Sequence, residues 1–150
     1  MIVATGSDHG GFHLKQTGMA LLKELGHTVQ DVGAYTDGPS DYPDFAKAVA
    51  ELILKKKAKR GILICGSGVG ACIAANKFPG IRASVCHDTF SARQGVEDDD
   101  MNVLCLGARV IGQELAAEVI RAFLSAKFSN AVRHRRRLRK VRAIEKVFQK

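Results

Sequence analysis

A cysteine heads three closely spaced glycines in Cys65-Gly66-Ser67-Gly68-Val69-Gly70, directly after the apolar run Gly61-Ile62-Leu63-Ile64. Glycines at this spacing let several backbone N–H groups converge on one point, beside a helix N-terminus that favours negative charge. A thiol at the last strand position, facing those amides, sits where its thiolate is favoured, and it can serve as nucleophile or base. The nucleophile role needs an adjacent histidine, which is a matter of placement in space. The plainer readings are a tight strand-to-helix turn and an inert core thiol, the reading adopted for Cys72, Cys86 and Cys105. No Gly-Lys-Ser/Thr follows, so the loop is not a Walker phosphate loop. Gly66, Gly68 and Ala71 also fit the dinucleotide pattern G-x-G-x-x-A, with Asp88 where a ribose-binding acid would fall.

Asp8-His9, followed by Gly10-Gly11, supplies a carboxylate and an imidazole for general acid–base work. Its plainer reading is an aspartate capping the next helix beside a solvated histidine. His87-Asp88 also ends an apolar run, whereas His13, His27 and His134 have no ligand-like spacing and read as surface. In Arg133-His134-Arg135-Arg136-Arg137, Arg133 and Arg137 are four residues apart and share one face of a helix. That face is a solvated surface, a nucleic-acid patch or a phosphate clamp, and spacing leaves all three open. The aromatic interleaving of a single-strand stacking platform is absent.

These residues need elements to position them. Period-two and apolar runs predict strands over 1–5, 28–32, 61–65, 82–86 and 102–106. Helical spacing predicts helices over 12–25, from Asp44 to about Lys57, from the glycine loop to about Asn76, over 113–128 and over 133–148. The alternation implies right-handed crossovers and a parallel, doubly wound α/β sheet. Ligands of such sheets bind beyond the carboxyl ends of the strands, which gathers Asp8-His9, the loop after Cys65 and the segment after Cys86 on one rim.

The chain has 150 residues, 46% hydrophobic and 25% charged, which fits a single core over 1–150 and leaves no room for a separate substrate domain. The formal net charge of +8 lies entirely in 133–150, where nine Lys/Arg face the single acid Glu145. The rest is neutral, so this is not a basic protein but a neutral domain with one basic segment. No apolar run approaches a membrane span and no basic leader precedes one, so a cytoplasmic protein is expected. Four cysteines without C-x-x-C point to reduced thiols and to no metal.

Taken together, the motifs resemble a known family. Asp8-His9-Gly10-Gly11, Asp41-Tyr42-Pro43, the run 61–70, Ala74-Ala75-Asn76-Lys77, Gly80-Ile81-Arg82-Ala83, Asn102-Val103-Leu104 and Gly107-Ala108-Arg109-Val110 are similar to the type B ribose-5-phosphate isomerases. That family also holds the subunits of galactose-6-phosphate isomerase, and the resemblance runs from end to end. It implies a Rossmann-like three-layer sandwich with a five-stranded parallel sheet and a C-terminal helix packed on a partner subunit. It also implies that 1–150 is one sugar-phosphate isomerase domain, a homodimer or tetramer with shared active sites, free of cofactor, metal and nucleic acid. The implied reaction is an aldose–ketose isomerisation through a cis-enediolate, first of all ribose 5-phosphate to ribulose 5-phosphate in the pentose phosphate pathway. Cys65 would be the base. Gly66, Ser67, Gly68, Val69 and Gly70 would form the anion hole, and Asp8 would shuttle protons at the hydroxyls. His9, Asp99, Arg109, Arg133 and Arg137 would contact substrate or phosphate. Preorganised donors of this kind are worth about 10²–10³-fold each.

One departure stands out. Where the family carries a His-Asn pair, whose histidine opens the furanose ring, this chain has Asp98-Asp99. An ordinary aspartate, with a pKa of about 3.9, is a poor acid at neutral pH, although neighbouring acids can raise one of the group. Asp98 still does the task, or His87 takes it over, or the substrate does not need it. A tetrose 4-phosphate such as erythrulose 4-phosphate cannot close a furanose. The alternatives of another class are a dinucleotide- or RNA-binding module.

Overall fold

β-Branched and apolar runs form β1 (Ile2–Ser7), β2 (Thr28–Asp31), β3 (Arg60–Cys65), β4 (Ala83–Val85) and β5 (Val103–Gly107) in a computed structural model that describes residues 1–149. The strands pair in parallel in the order β2-β1-β3-β5-β4. β3 and β5 are buried along their whole length, as strands covered on both faces must be. On one face α1 (Phe12–Glu24), α4 (Thr89–Asp99) and α5 (Gln113–Ser125) bury Leu22, Val96 and Phe123 against Ile62, Ile64, Leu104 and Leu106. On the other, α2 (Tyr42–Leu54) and α3 (Val69–Ala75) cover Ala4, Leu63, Cys65, Val103 and Cys105. This is the expected three-layer α/β sandwich. The last helix, α6 (Val132–Phe148), meets the fold chiefly along α4 and buries only His134 and Leu138.

Five parts of the sequence reading need correction. The helix α4 was not expected, because only Ala92 and Val96 of its residues are buried and Gly95 and three acids dilute the pattern. Asp88 caps it, accepting the Ser91 N–H at 2.6 Å, so the position read as a ribose-binding acid is a helix cap. α2 starts at Tyr42, not Asp44, with Pro43 in its first turn, where the missing N–H costs nothing. Finally, His134 is not a surface residue but 5% exposed. α5 stops at Ser125, short of 128, where the buried Arg60 guanidinium takes the carbonyls of Phe123 and Ala126.

The register decides what meets what. Ser7 pairs with Ile64 and Ile64 with Leu106, and Cys65 pairs with Gly107 in the next row. The chain leaves β1 for β2 on one side and returns as β3 on the other. A crevice therefore opens beyond the carboxyl ends of β1 and β3, between Asp8 and Cys65.

Candidate active site

Asp8, Tyr42, Cys65, Gly66, Ser67, Gly70, Arg109 and Val110 line an open cleft of about 440 Å³ at this crevice. Cys65 is 4% exposed and its Sγ accepts the Gly68 N–H at 3.2 Å. Gly68 holds φ +82°, a conformation that favours glycine, and this turns the loop into α3. Ser67 Oγ accepts the Val69 N–H at 3.2 Å. The Gly68 amide thus holds the sulfur, and Gly66, Ser67 and Gly70 of the same loop line the cleft beside it.

Asp8 is 8% exposed, and its Oδ1 accepts the Gly11 N–H at 3.2 Å as it caps the 3₁₀ turn His9–Gly11. The capping reading of this residue holds, and the residue also lines the cleft. His9 is held by Ser40, whose Oγ accepts the His9 N–H at 2.9 Å and whose backbone N–H lies 3.3 Å from Nδ1. Arg109 donates its backbone N–H to Gly66 O and lays its stem over Gly66, where an added Cβ would meet Cδ at 3.2 Å.

The remaining expected residues are not brought here within one chain. Asp98 and Asp99 end α4, just before β5, at the amino edge of the sheet, whereas Cys65 lies level with Gly107 at the carboxyl edge. Those rows are separated by roughly 13 Å of strand at about 3.3 Å per residue. Asp98 faces Gln94 Nε2 at 2.6 Å and His134 Nε2 at 3.3 Å. Arg133 and Arg137 are exposed on α6, along the same edge as Asp98. His87 does lie on the Cys65 rim, but its Nε2 accepts the Gly107 N–H at 2.9 Å and it is not among the cleft-lining residues.

Sequence reasoning overlooked three residues. Tyr42 and Val110 line the cleft, and Ser40 orients His9. Tyr42 left one signal: a Cβ on Gly70 would sit 2.7 Å from its Cζ, so the glycine makes room for the ring. Of the three thiols read as inert core, Cys86 and Cys105 are buried, and Cys72 departs from that reading. Cys72 is half-buried and its pKa is lowered to about 7, chiefly by hydrogen bonding to the Cys105 side chain, while buried Cys105 is raised well above the ordinary value.

Comparison with known proteins decides the family. The sequence model of the Ribose/Galactose Isomerase family matches residues 3–141. The chain belongs to that family. It is 45% identical to "Ribose-5-phosphate isomerase B" of Escherichia coli over 143 residues, 95% of each chain. It is 46% identical to "D-erythrulose-4-phosphate isomerase" of Pectobacterium atrosepticum over 127 residues, 84% of each. Its fold superposes on the ribose-5-phosphate isomerase B of Clostridium thermocellum with a TM-score of 0.97 and 44% identity, covering 99% of this chain and 100% of that one. These members of the family are aldose–ketose isomerases, and so is this chain. Among the described residues no helix is long and apolar enough to cross a membrane.

Proposed function

We propose that this isomerase interconverts an aldose phosphate and a ketose phosphate through a cis-enediolate, with Cys65 as the base. The observation that supports it best is a thiol in a cleft, held by the Gly68 amide of a glycine loop that lines the same cleft, with Asp8 also in the lining. The sulfur takes the proton from C2 of the aldose, and the electron pair moves into the C1–C2 bond while charge builds on O1. The loop amides and the Ser67 hydroxyl meet that charge, acting where it develops in the transition state. Asp8 moves a proton between O2 and O1, and the Cys65 thiol returns its proton to C1. Ribose 5-phosphate, giving ribulose 5-phosphate, is the first substrate to test. The test runs the reaction in deuterium oxide with wild type and Cys65→Ser. Solvent deuterium at C1 of the ketose in the wild type alone is expected. Equal incorporation in the variant would remove Cys65 as base.

Arg133 and Arg137, with His9 and Arg109, hold the phosphate in this reading. Because α6 lies along the other edge of the sheet, its arginines reach a Cys65 cleft only from a second copy. The active form is thus an oligomer with shared sites.

One contact favours a second substrate. At the position where a ring-opening histidine is expected, Asp98 is committed to Gln94 and His134. A tetrose 4-phosphate carries phosphate on the oxygen that would close a furanose and stays open. D-erythrulose 4-phosphate therefore needs no group at 98. Comparing kcat/KM for the two sugar phosphates decides between them: a preference for the tetrose of about tenfold, or 1.4 kcal/mol, is expected on this second reading. A preference for the pentose overturns it.

A further inference from the structure

The start of α6 is held by three side chains that the isomerisation leaves unused. His134 is 5% exposed in the middle of the most basic stretch of the chain, between exposed Arg133 and Arg135. Its Nε2 lies 3.3 Å from Asp98 Oδ1, and its Nδ1 lies 2.6 Å from Ser129 Oγ. Ser129 Oγ also accepts the N–H of Ala131, the cap residue of α6, at 3.2 Å. Both anchors are themselves held: Gln94 Nε2 donates to Asp98 Oδ2 at 2.6 Å, and the Ser129 N–H donates to Glu97 O at 2.9 Å. The only other buried residue of α6 is Leu138, one turn further on, and the far end is tied by Glu145 accepting the Gly80 N–H.

The Glu145 contact holds the far end, about three turns from Arg133, and the start of the helix, seated on two residues one turn apart, needs a directional contact of its own to fix its roll. We infer that Ser129–His134–Asp98 is a positioning relay that fixes the roll of α6 and so aims Arg133 and Arg137. The inference rests on the reading of these arginines as phosphate ligands. At 3.6 residues per turn, Arg133 and Arg137 lie about 100° and about 60° around the axis from His134, on the same flank. Turning His134 inward therefore presents both guanidinium groups together. Misplacing a binding group by about 1 Å costs on the order of 10²-fold, and the roll of a long arginine exceeds that easily. The arginines grip the phosphate rather than the reacting carbons, so the loss falls on KM. Asp98 is thereby a positioning residue and not an acid of the reaction.

The test is steady-state kinetics of the full chain with whichever sugar phosphate it turns over. Asp98→Ala and His134→Ala should each raise KM about tenfold or more with kcat within about threefold. Asp98→Asn keeps an acceptor oxygen toward Nε2 and should return KM to within about threefold of wild type. Because the pair acts as one unit, the double Asp98→Ala/His134→Ala variant should be no worse than the worse single one. Additive losses, wild-type KM in Asp98→Ala, or a fall in kcat at constant KM overturns the relay. If the alanine variants do not fold, Ser129→Ala at an exposed hydroxyl carries the test, with an unchanged KM overturning it. Arg137→Ala separates the two layers. A raised KM there with a wild-type KM in Asp98→Ala defeats the relay alone, whereas an unchanged KM in Arg137→Ala defeats the phosphate role and the relay with it.

Discussion

Gly68 donates its backbone N–H to Cys65 Sγ at 3.2 Å, so the loop proposed to meet the oxyanion also holds the proposed base. Removing the sulfur should leave the loop in place and abolish proton transfer. Cys65→Ser is expected to lower kcat about 10³-fold, within the range of about 10²–10⁴ for general acid–base groups, with the far-ultraviolet dichroism unchanged. A loss smaller than about tenfold would assign the base elsewhere.

The loop geometry gives a second expectation. Gly68 has φ +82°, and a Cβ there would meet the Leu106 carbonyl carbon at 3.0 Å. Gly68→Ala brings a left-handed strain of about 1–2 kcal/mol plus the contact. At roughly 2–4 °C per kcal/mol, Tm should fall by about 3–8 °C. Because the Gly68 amide moves with it, kcat should fall more than KM rises. A calorimetric scan and one rate curve check both.

The sheet was legible because β1, β3 and β5 are apolar runs flanked by glycine turns, and the topological rule then placed Asp8 beside Cys65. α4 was illegible for the complementary reason: two buried residues make no stripe, and its cap Asp88 looks like a ligand when the Ser91 amide it accepts is not yet in view. Tyr42 was hidden because an exposed aromatic at the first residue of a helix carries no period, and its partner Gly70 is defined only by what it lacks. His134 was misread because its neighbours are all charged. Its burial follows from Asp98 and Ser129, distant in sequence. Long-range polar pairing is what local pattern cannot carry.

The position of α6 predicts complementation between chains. Cys65→Ser and Arg133→Ala chains, each impaired alone, should regain activity when co-expressed, because in the proposed shared-site assembly a mixed dimer would hold one intact site. Random pairing at equal amounts gives about a quarter of the wild-type sites, read below KM. No gain over the separate variants would place both groups in one chain's site.

Cys72 is half-buried, and its pKa is lowered to about 7 from 9.0, chiefly by the neighbouring Cys105 side chain. A depressed thiol pKa means more thiolate at neutral pH, so alkylation of Cys72 by iodoacetamide should accelerate as pH rises and level off above about 7. Cys86 and Cys105, both raised, should react slowly over the same range. Cys105→Ala removes the main cause, and the midpoint for Cys72 should move upward. Peptide-resolved labelling reads each site, and an unmoved midpoint would break the assignment.

Lys15 is 1% exposed, and its Nζ donates to Asp31 Oδ1 at 2.5 Å and to Ala34 O at 2.7 Å. Asp31 Oδ1 also accepts the Gly33 N–H, so one ammonium organises the exit of β2. Breaking a buried pair by removing one partner costs about 3–5 kcal/mol, and the Asp31 side chain, 26% exposed, recovers some hydration and puts this case at the low end. Lys15→Met, which fills most of the volume, should therefore lower Tm by roughly 6–12 °C at about 3 kcal/mol. The segment it releases leads to Ser40, the residue that orients His9, so KM should rise while proton transfer at Cys65 persists. A Tm within about 2 °C of wild type would show that Asp31 rehydrates without loss and that the loop stands without the lysine.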